Sequence, residues 1–158
     1  LVVQVWPQTY AHILSTAQIE YMMELMYSEA ALHQQMQDNH QFLIVYNSGI
    51  PIGFASYSEV EPTVYKLHKI YLLPLQQGRG SGRTVMNAIL EDIQPKGATA
   101  LMLNVNRNNM AKAFYERLGF KVVRIEDVPI GNGYYMNDYI MQLDLATNSA
   151  TDTDATPA

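Results

Sequence analysis

The chain has 158 residues, a formal net charge of −5, 48% hydrophobic and 16% charged side chains, the size and balance of one globular domain with a substantial core. The net charge argues against a nucleic-acid partner, since no basic patch is available to neutralise phosphates, and it agrees with a cationic partner such as an amine. There is no cysteine, which removes disulfide scaffolds, thiolate metal sites and a cysteine nucleophile. No apolar run approaches the ~18 residues that span a bilayer and no signal-peptide pattern opens the sequence, so no membrane partner is expected and the cytoplasm is the expected compartment.

The first third reads helical. Pro7 suits a first helical turn, and Ser15 with Gln18 three residues on is a capping-box signature. Ile19, Met22, Met23 and Met26 follow at helical spacing, a stripe that serves either as core or as a pliable wall for a substrate. Gln41–Asn47 and Pro51–Glu59, joined by Asn47-Ser48-Gly49, predict a β-hairpin. Lys66–Leu73 predicts a third strand, whose alternation places Lys66, His68, Ile70 and Leu72 on one face. Val85, Met86, Ile89, Leu90 and Ile93 line one side of a helix from about Ser81 to Ile93, stopped by Pro95-Lys96-Gly97. A strand at Ala100–Asn106, a helix at Asn108–Leu118 capped by Gly119, and strands at Lys121–Asp127 and Tyr134–Leu145 complete the series. One domain over residues 1–145 is expected, and the polar, low-complexity tail over 146–158 is expected to be disordered. The order predicts an α/β protein of the α+β kind, with a mixed, mostly antiparallel central sheet flanked by helices on both faces.

Gln77-Gly78-Arg79-Gly80-Ser81-Gly82-Arg83 joins the third strand to the next helix. Alternating glycines let successive N–H groups converge, and the helix start adds roughly half a positive charge, so the loop can cradle a pyrophosphate. It lacks the Gly-Lys-Ser/Thr ending of a Walker loop and reads GxGxG after antiparallel strands, where the dinucleotide fingerprint is GxGxxG at the first turn of a parallel unit. A nucleotide-dependent transferase is thereby disfavoured.

Two segments carry a family resemblance. Gln77–Gly82 resembles the Q/R-x-x-G-x-G/A signature of the GNAT N-acetyltransferase superfamily, and Asn108–Phe120 (NNMAKAFYERLGF) is similar to its N-x-x-A-x-x-x-Y-x-x-x-G-F motif. The likeness covers about residues 1–145 and looks closest to PaiA-like polyamine acetyltransferases, through Gly133–Met141. It implies the GNAT acyl-CoA N-acyltransferase fold, acetyl-CoA as co-substrate, an amine acceptor and no metal; a homodimer is compatible with it. The superfamily opens with a strand, whereas this chain begins inside the first helix, so that strand is expected to be missing or replaced.

The resemblance also implies roles. Backbone groups of Ile70, Tyr71 and Leu72 pair with the pantetheine arm, the loop from Gln77 and Gly78 through Arg79, Gly80, Ser81 and Gly82 to Arg83 holds the pyrophosphate, and Asn108 either contacts the arm or caps its helix. Tyr115 is the general acid for the departing thiol, or else a core aromatic beside Phe114. A tyrosine near pKa ~10 can donate to a thiolate whose parent thiol lies near ~8.5. An ammonium of pKa ~10.4 costs roughly 4–5 kcal/mol to deprotonate at pH 7, so a base helps. The usual glutamate is not evident. His68 is the candidate base, with a structural histidine as the bland alternative, and Glu59, Glu61 and Asp138 follow. His12, His33 and His40 have no assigned role. The expected activity is acetylation of a polyamine-like primary amine; alternatives are acetylation of a protein N-terminus or lysine, or a non-catalytic acyl-CoA sensor, which would not need Tyr115.

Overall fold

In the computed structural model, which describes residues 1–146, three helices precede the first strand: α1 (Val2–Tyr10), α2 (Thr16–Tyr27) and α3 (Glu29–Gln37). β1 (Gln41–Asn47), β2 (Ile50–Glu61) and β3 (Val64–Leu72) follow, then α4 (Ser81–Ile93), β4 (Ala100–Asn106), α5 (Ala111–Arg117), β5 (Lys121–Gly131) and β6 (Tyr134–Asp144). The strands form a six-stranded sheet in the order β1-β2-β3-β4-β6-β5. Among the described residues only the central β3–β4 pair is parallel, and α4 makes the crossover between them. This is the predicted element order and the predicted mixed sheet. The expected polar tail lies outside the described residues from 147 onward.

Ser15 Oγ accepts from the Gln18 amide at 3.1 Å and Ser28 Oγ from the Ala31 amide at 3.2 Å, caps worth about 1 kcal/mol each. Gln18 does not complete the expected capping box, because its Nε2 donates instead to the Tyr135 carbonyl at 2.8 Å and ties α2 to β6. Pro7 is interior to α1, not in its first turn. It removes one helical hydrogen bond, a loss offset by burial of Val5, Trp6 and Tyr10 on the same helix.

The sheet has a core on each face. On one, the predicted stripe of α4 buries Val85, Met86, Ile89 and Ile93 against Leu67, Leu101 and Leu103 of the central strands. Ile89 is fully buried, so truncation to alanine costs about 2–5 kcal/mol. On the other, Trp6 and Tyr10 of α1 pack with Ile19 and Met22 of α2, and Tyr71 joins them from β3.

A bulge in β3 overturns one expectation. Tyr57 pairs with Leu67 while the neighbouring Ser56 pairs with Lys69, so His68 is an extra residue in the ladder, and alternation shifts past it. Ile70 therefore packs with the α4 core, away from His68, which bonds Ser58 on the α1–α3 side. Lys66, His68 and Ile70 do not share one face. The β3–β4 pairing also stops at Leu67 and Leu103, just before the bulge, although both strands run on. Their facing edges are left free of each other.

Candidate active site

A groove of about 820 Å³ runs along the separated ends of β3 and β4 to the glycine loop. Gly78 and Gly80 take left-handed φ of 74° and 79°, and Gly80 stands at the N-cap of α4. A side chain there would be strained by conformation, since nothing crowds the added atom. Gly82 serves differently. A Cβ on it would lie 3.0 Å from Phe114 Cζ, so its absence lets α4 approach α5. Gln77 Nε2 donates to the Leu72 carbonyl at 3.1 Å and fastens the loop to the end of β3. The α4 amides and the Arg83 and Arg117 guanidiniums give this end of the groove a positive field.

Of the residues anticipated from sequence, Ile70, Tyr71, Leu72, Gln77, Gly78, Gly80, Gly82, Arg83, Asn108, Tyr115 and His68 line the groove. Arg79 and Ser81 do not, and Arg79 is exposed. Asn108 is not a helix cap. Helix α5 begins only at Ala111, whose amide is taken by Asn109 Oδ1 at 2.9 Å. Asn108 sits in the preceding turn, its own amide held by Asn106 Oδ1. Tyr115 packs as the anticipated core aromatic and also lines the groove. Its ring packs edge-on against Phe114 and Phe120 while the residue faces the groove, and burial pushes its phenol above the ordinary tyrosine range.

A smaller cavity of about 90 Å³ adjoins the groove, walled by Trp6, Met22, Met26, Tyr27 and Met136. Tyr10, His68, Lys69, Tyr71 and Asn104 line both spaces. These five residues mark where the two meet. Asp138 of β6 lies on the small-cavity side, 3% exposed. Burial raises its carboxyl, against the lowering effect of Asn104 Nδ2, which donates to Asp138 Oδ2 at 3.2 Å. His68 Nε2 and Ser58 Oγ are 2.7 Å apart, and its ring stacks on His40 with centroids 4.0 Å apart and planes 8° apart. Burial first, then His40, Lys66 and Lys69, lower its pKa to about 3. Glu59 and Glu61 lie exposed at the far end of β2, where Glu59 binds the Thr63 amide. His33 bonds Gln37 on α3, and His12 lines the groove.

Sequence reasoning missed Tyr10, Lys69, Asn104 and Arg117. Lys69 was obscured by the bulge. The sequence also holds no sign that Tyr10 on α1 meets Tyr71.

The acetyltransferase (GNAT) domain profile matches residues 11–143. The chain belongs to the GNAT acetyltransferase family. This GNAT chain is 34% identical over 86 residues to the ribosomal protein bS18 alanine N-acetyltransferase of Haemophilus influenzae, a match spanning 53% of each; the chain thus covers about half that relative's length. It is 25% identical over 116 residues to the L-methionine sulfoximine/L-methionine sulfone acetyltransferase of Salmonella typhimurium, 70% of this chain and 68% of the relative. Its fold superposes with a TM-score of 0.75 on the PaiA N-acetyltransferase of Thermoplasma acidophilum in complex with coenzyme A, at 28% identity over 90% of this chain and 87% of that one.

The Thermoplasma neighbour holds coenzyme A, the carrier of an activated acyl group. The residues present in this chain fit that carrier. The unpaired edge of β3 past Leu67 offers backbone partners to an amide-bearing arm, and the left-handed glycines with the α4 N-terminus suit a pyrophosphate. Among the described residues no cluster of three or more His, Asp or Glu is placed to hold a metal, and no helix is long and apolar enough to cross a membrane.

Proposed function

We propose that this chain acetylates the primary amine of a small molecule at the junction of the groove and the small cavity. The observation that supports it is the sharing of Tyr10, His68, Lys69, Tyr71 and Asn104 by the two spaces, an arrangement in which an acyl-carrying arm and an acceptor would meet end to end. A cavity of about 90 Å³ admits a small amine or a side-chain tip, not a folded peptide segment.

When bound, acetyl-CoA supplies an acetyl group activated as a thioester. The chain's own residues handle protons and position. Tyr115 stays protonated because burial opposes its ionisation, so its Oη is the proton donor on α5. Proton removal from the acceptor ammonium falls to Asp138 in preference to His68. The Asp138 carboxyl is raised by burial and so is a stronger base than a surface carboxylate. His68 is neutral, but protonating it is opposed by burial and three nearby basic groups. Its stacked, hydrogen-bonded ring instead holds the wall of the junction.

A polyamine is the second reading, supported by the PaiA-like sequence resemblance, the likeness to the Thermoplasma enzyme and the net charge of −5. The test is a panel of spermidine, small primary amines, amino acids and amino-terminal peptides with acetyl-CoA, read by thiol release. Turnover of small acceptors is expected. Turnover with peptides alone would move the assignment to protein acetylation, and a CoA-induced rise in Tm with no thiol release from any acceptor would identify an acyl-CoA sensor.

A further inference from the structure

We infer that the acceptor carries a carboxylate or comparable oxyanion beside its amine, and that Lys69 holds that group. Lys69 lines both the groove and the small cavity and is only 7% exposed. Its ammonium has three protons to donate. One goes to the Met26 carbonyl at 3.4 Å and one to Gln35 Oε1. Both acceptors are neutral. The group also lies 4.6 Å from the Tyr27 ring centroid and 5.1 Å from that of Phe42. Among the described residues no carboxylate comes within ion-pair distance of it. A buried cation without a counter-ion is costly, and a methionine would fill the same space without that cost. A ligand that brings its own anion supplies what the protein leaves out.

The rest of the cavity agrees. Burial alone lowers the Lys69 pKa, to about 8, so the ammonium form still predominates at pH 7. Asp138 sets a carboxyl group among the lining residues. A basic and an acidic side chain on different walls, among methionine, aromatic and neutral polar residues, complement a zwitterion, while a polyamine's second ammonium would face Lys69.

This inference rests on the acetyl-transfer reading, and the experiment separates the two. Thiol release is measured for two matched pairs, L-leucine against isopentylamine and 4-aminobutanoate against propylamine, each pair differing only in the carboxylate. Leucinamide stands in for a peptide amino terminus. Wild type should favour at least one carboxylate-bearing partner by tenfold or more in kcat/KM, and Lys69→Met should erase that preference. In parallel, the Tm of the CoA-loaded protein should rise more with the same carboxylate-bearing partner than with its matched amine, and Lys69→Met should lose the difference. Equal or greater turnover of the plain amine in both pairs, or of leucinamide over the preferred carboxylate-bearing partner, would overturn the inference, as would a preference unchanged in Lys69→Met. Should no amine release thiol, the acetyl-transfer reading fails, while the Tm comparison still decides whether Lys69 binds the carboxylate. The wild-type pairs stand without the variant, so a poorly folding Lys69→Met does not shield the idea; Lys69→Gln provides a second one.

Discussion

Tyr10 Oη lies 2.9 Å from Tyr71 Oη, a hydrogen bond between α1 and β3 across 61 residues of sequence. It fixes the helix that roofs the small cavity to the strand that edges the groove. Removing either hydroxyl leaves the other buried without its partner, which costs about 1–3 kcal/mol. Tyr10→Phe and Tyr71→Phe should each lower stability by that amount in urea unfolding. The double variant should lose clearly less than their sum. Strict additivity would show that the bond contributes nothing.

Gly80→Asp should fold, because aspartate tolerates the left-handed conformation at a modest cost. Acetyl-CoA should no longer raise its Tm, since a carboxylate at the N-cap of α4 repels the pyrophosphate. Adding ATP in place of CoA serves as the control. An equal response of the wild type to ATP, with none to CoA, would refute the groove's assignment.

Tyr115→Phe keeps the ring that packs on Phe114 and Phe120. A fall in kcat of about 10²–10⁴, with Tm and CoA affinity nearly unchanged, is expected for loss of a positioned proton donor. Burial raises the phenol, so no alkaline decline in wild-type activity below pH ~10 should come from this group. A variant keeping a third or more of wild-type kcat would reduce Tyr115 to a packing residue.

Asp138→Asn should separate activity from stability. The Asp138 carboxyl titrates above its unfolded value of ~3.9, so its contribution to stability is complete below that value and is lost as pH rises through the folded pKa. Wherever it is ionised, the carboxylate is disfavoured by burial. The asparagine variant should therefore melt no earlier than wild type at pH 7 while losing 10²-fold or more in kcat/KM, a loss of the size expected for a missing base. Unchanged kcat/KM would return the search for a base to His68.

His68 has the opposite sign. Its folded pKa of about 3 lies below the unfolded ~6.5, so the stability of the neutral ring is present above pH ~6.5 and drains away as pH falls toward 3. Melting scans over that window should show a shallower acid loss for His68→Gln than for wild type. Parallel curves would mean that the ring is not held neutral by its surroundings.

The element order was legible because each element announces itself locally: Ser15 as a cap, the α4 stripe from Val85 to Ile93, and glycines between strands. The groove was legible for the same reason, since Gly78, Gly80 and Tyr115 lie in short contiguous motifs. The acceptor side was legible only in part, through His68 and Asp138. Tyr10, Lys69, Asn104 and Asp138 come from α1, β3, β4 and β6 and share no motif. Counting alternate residues along β3 misplaced Ile70 relative to His68, because a bulge is a property of the pairing with β2 and not of the strand alone.

The extra residue in β3 has an evolutionary side. Ser56 pairs with Lys69 and Tyr57 with Leu67, so deleting His68 would leave every other residue of β3 on its present face. Such a deletion is silent for the core. It would nonetheless remove the irregularity at which β3 and β4 part company after Leu67 and Leu103, and let the two parallel strands zip on through the space the thioester arm needs. Varying the side chain at position 68 keeps the extra residue, and with it the irregularity, in place. Losing the position itself would leave a stable sheet with no vocation.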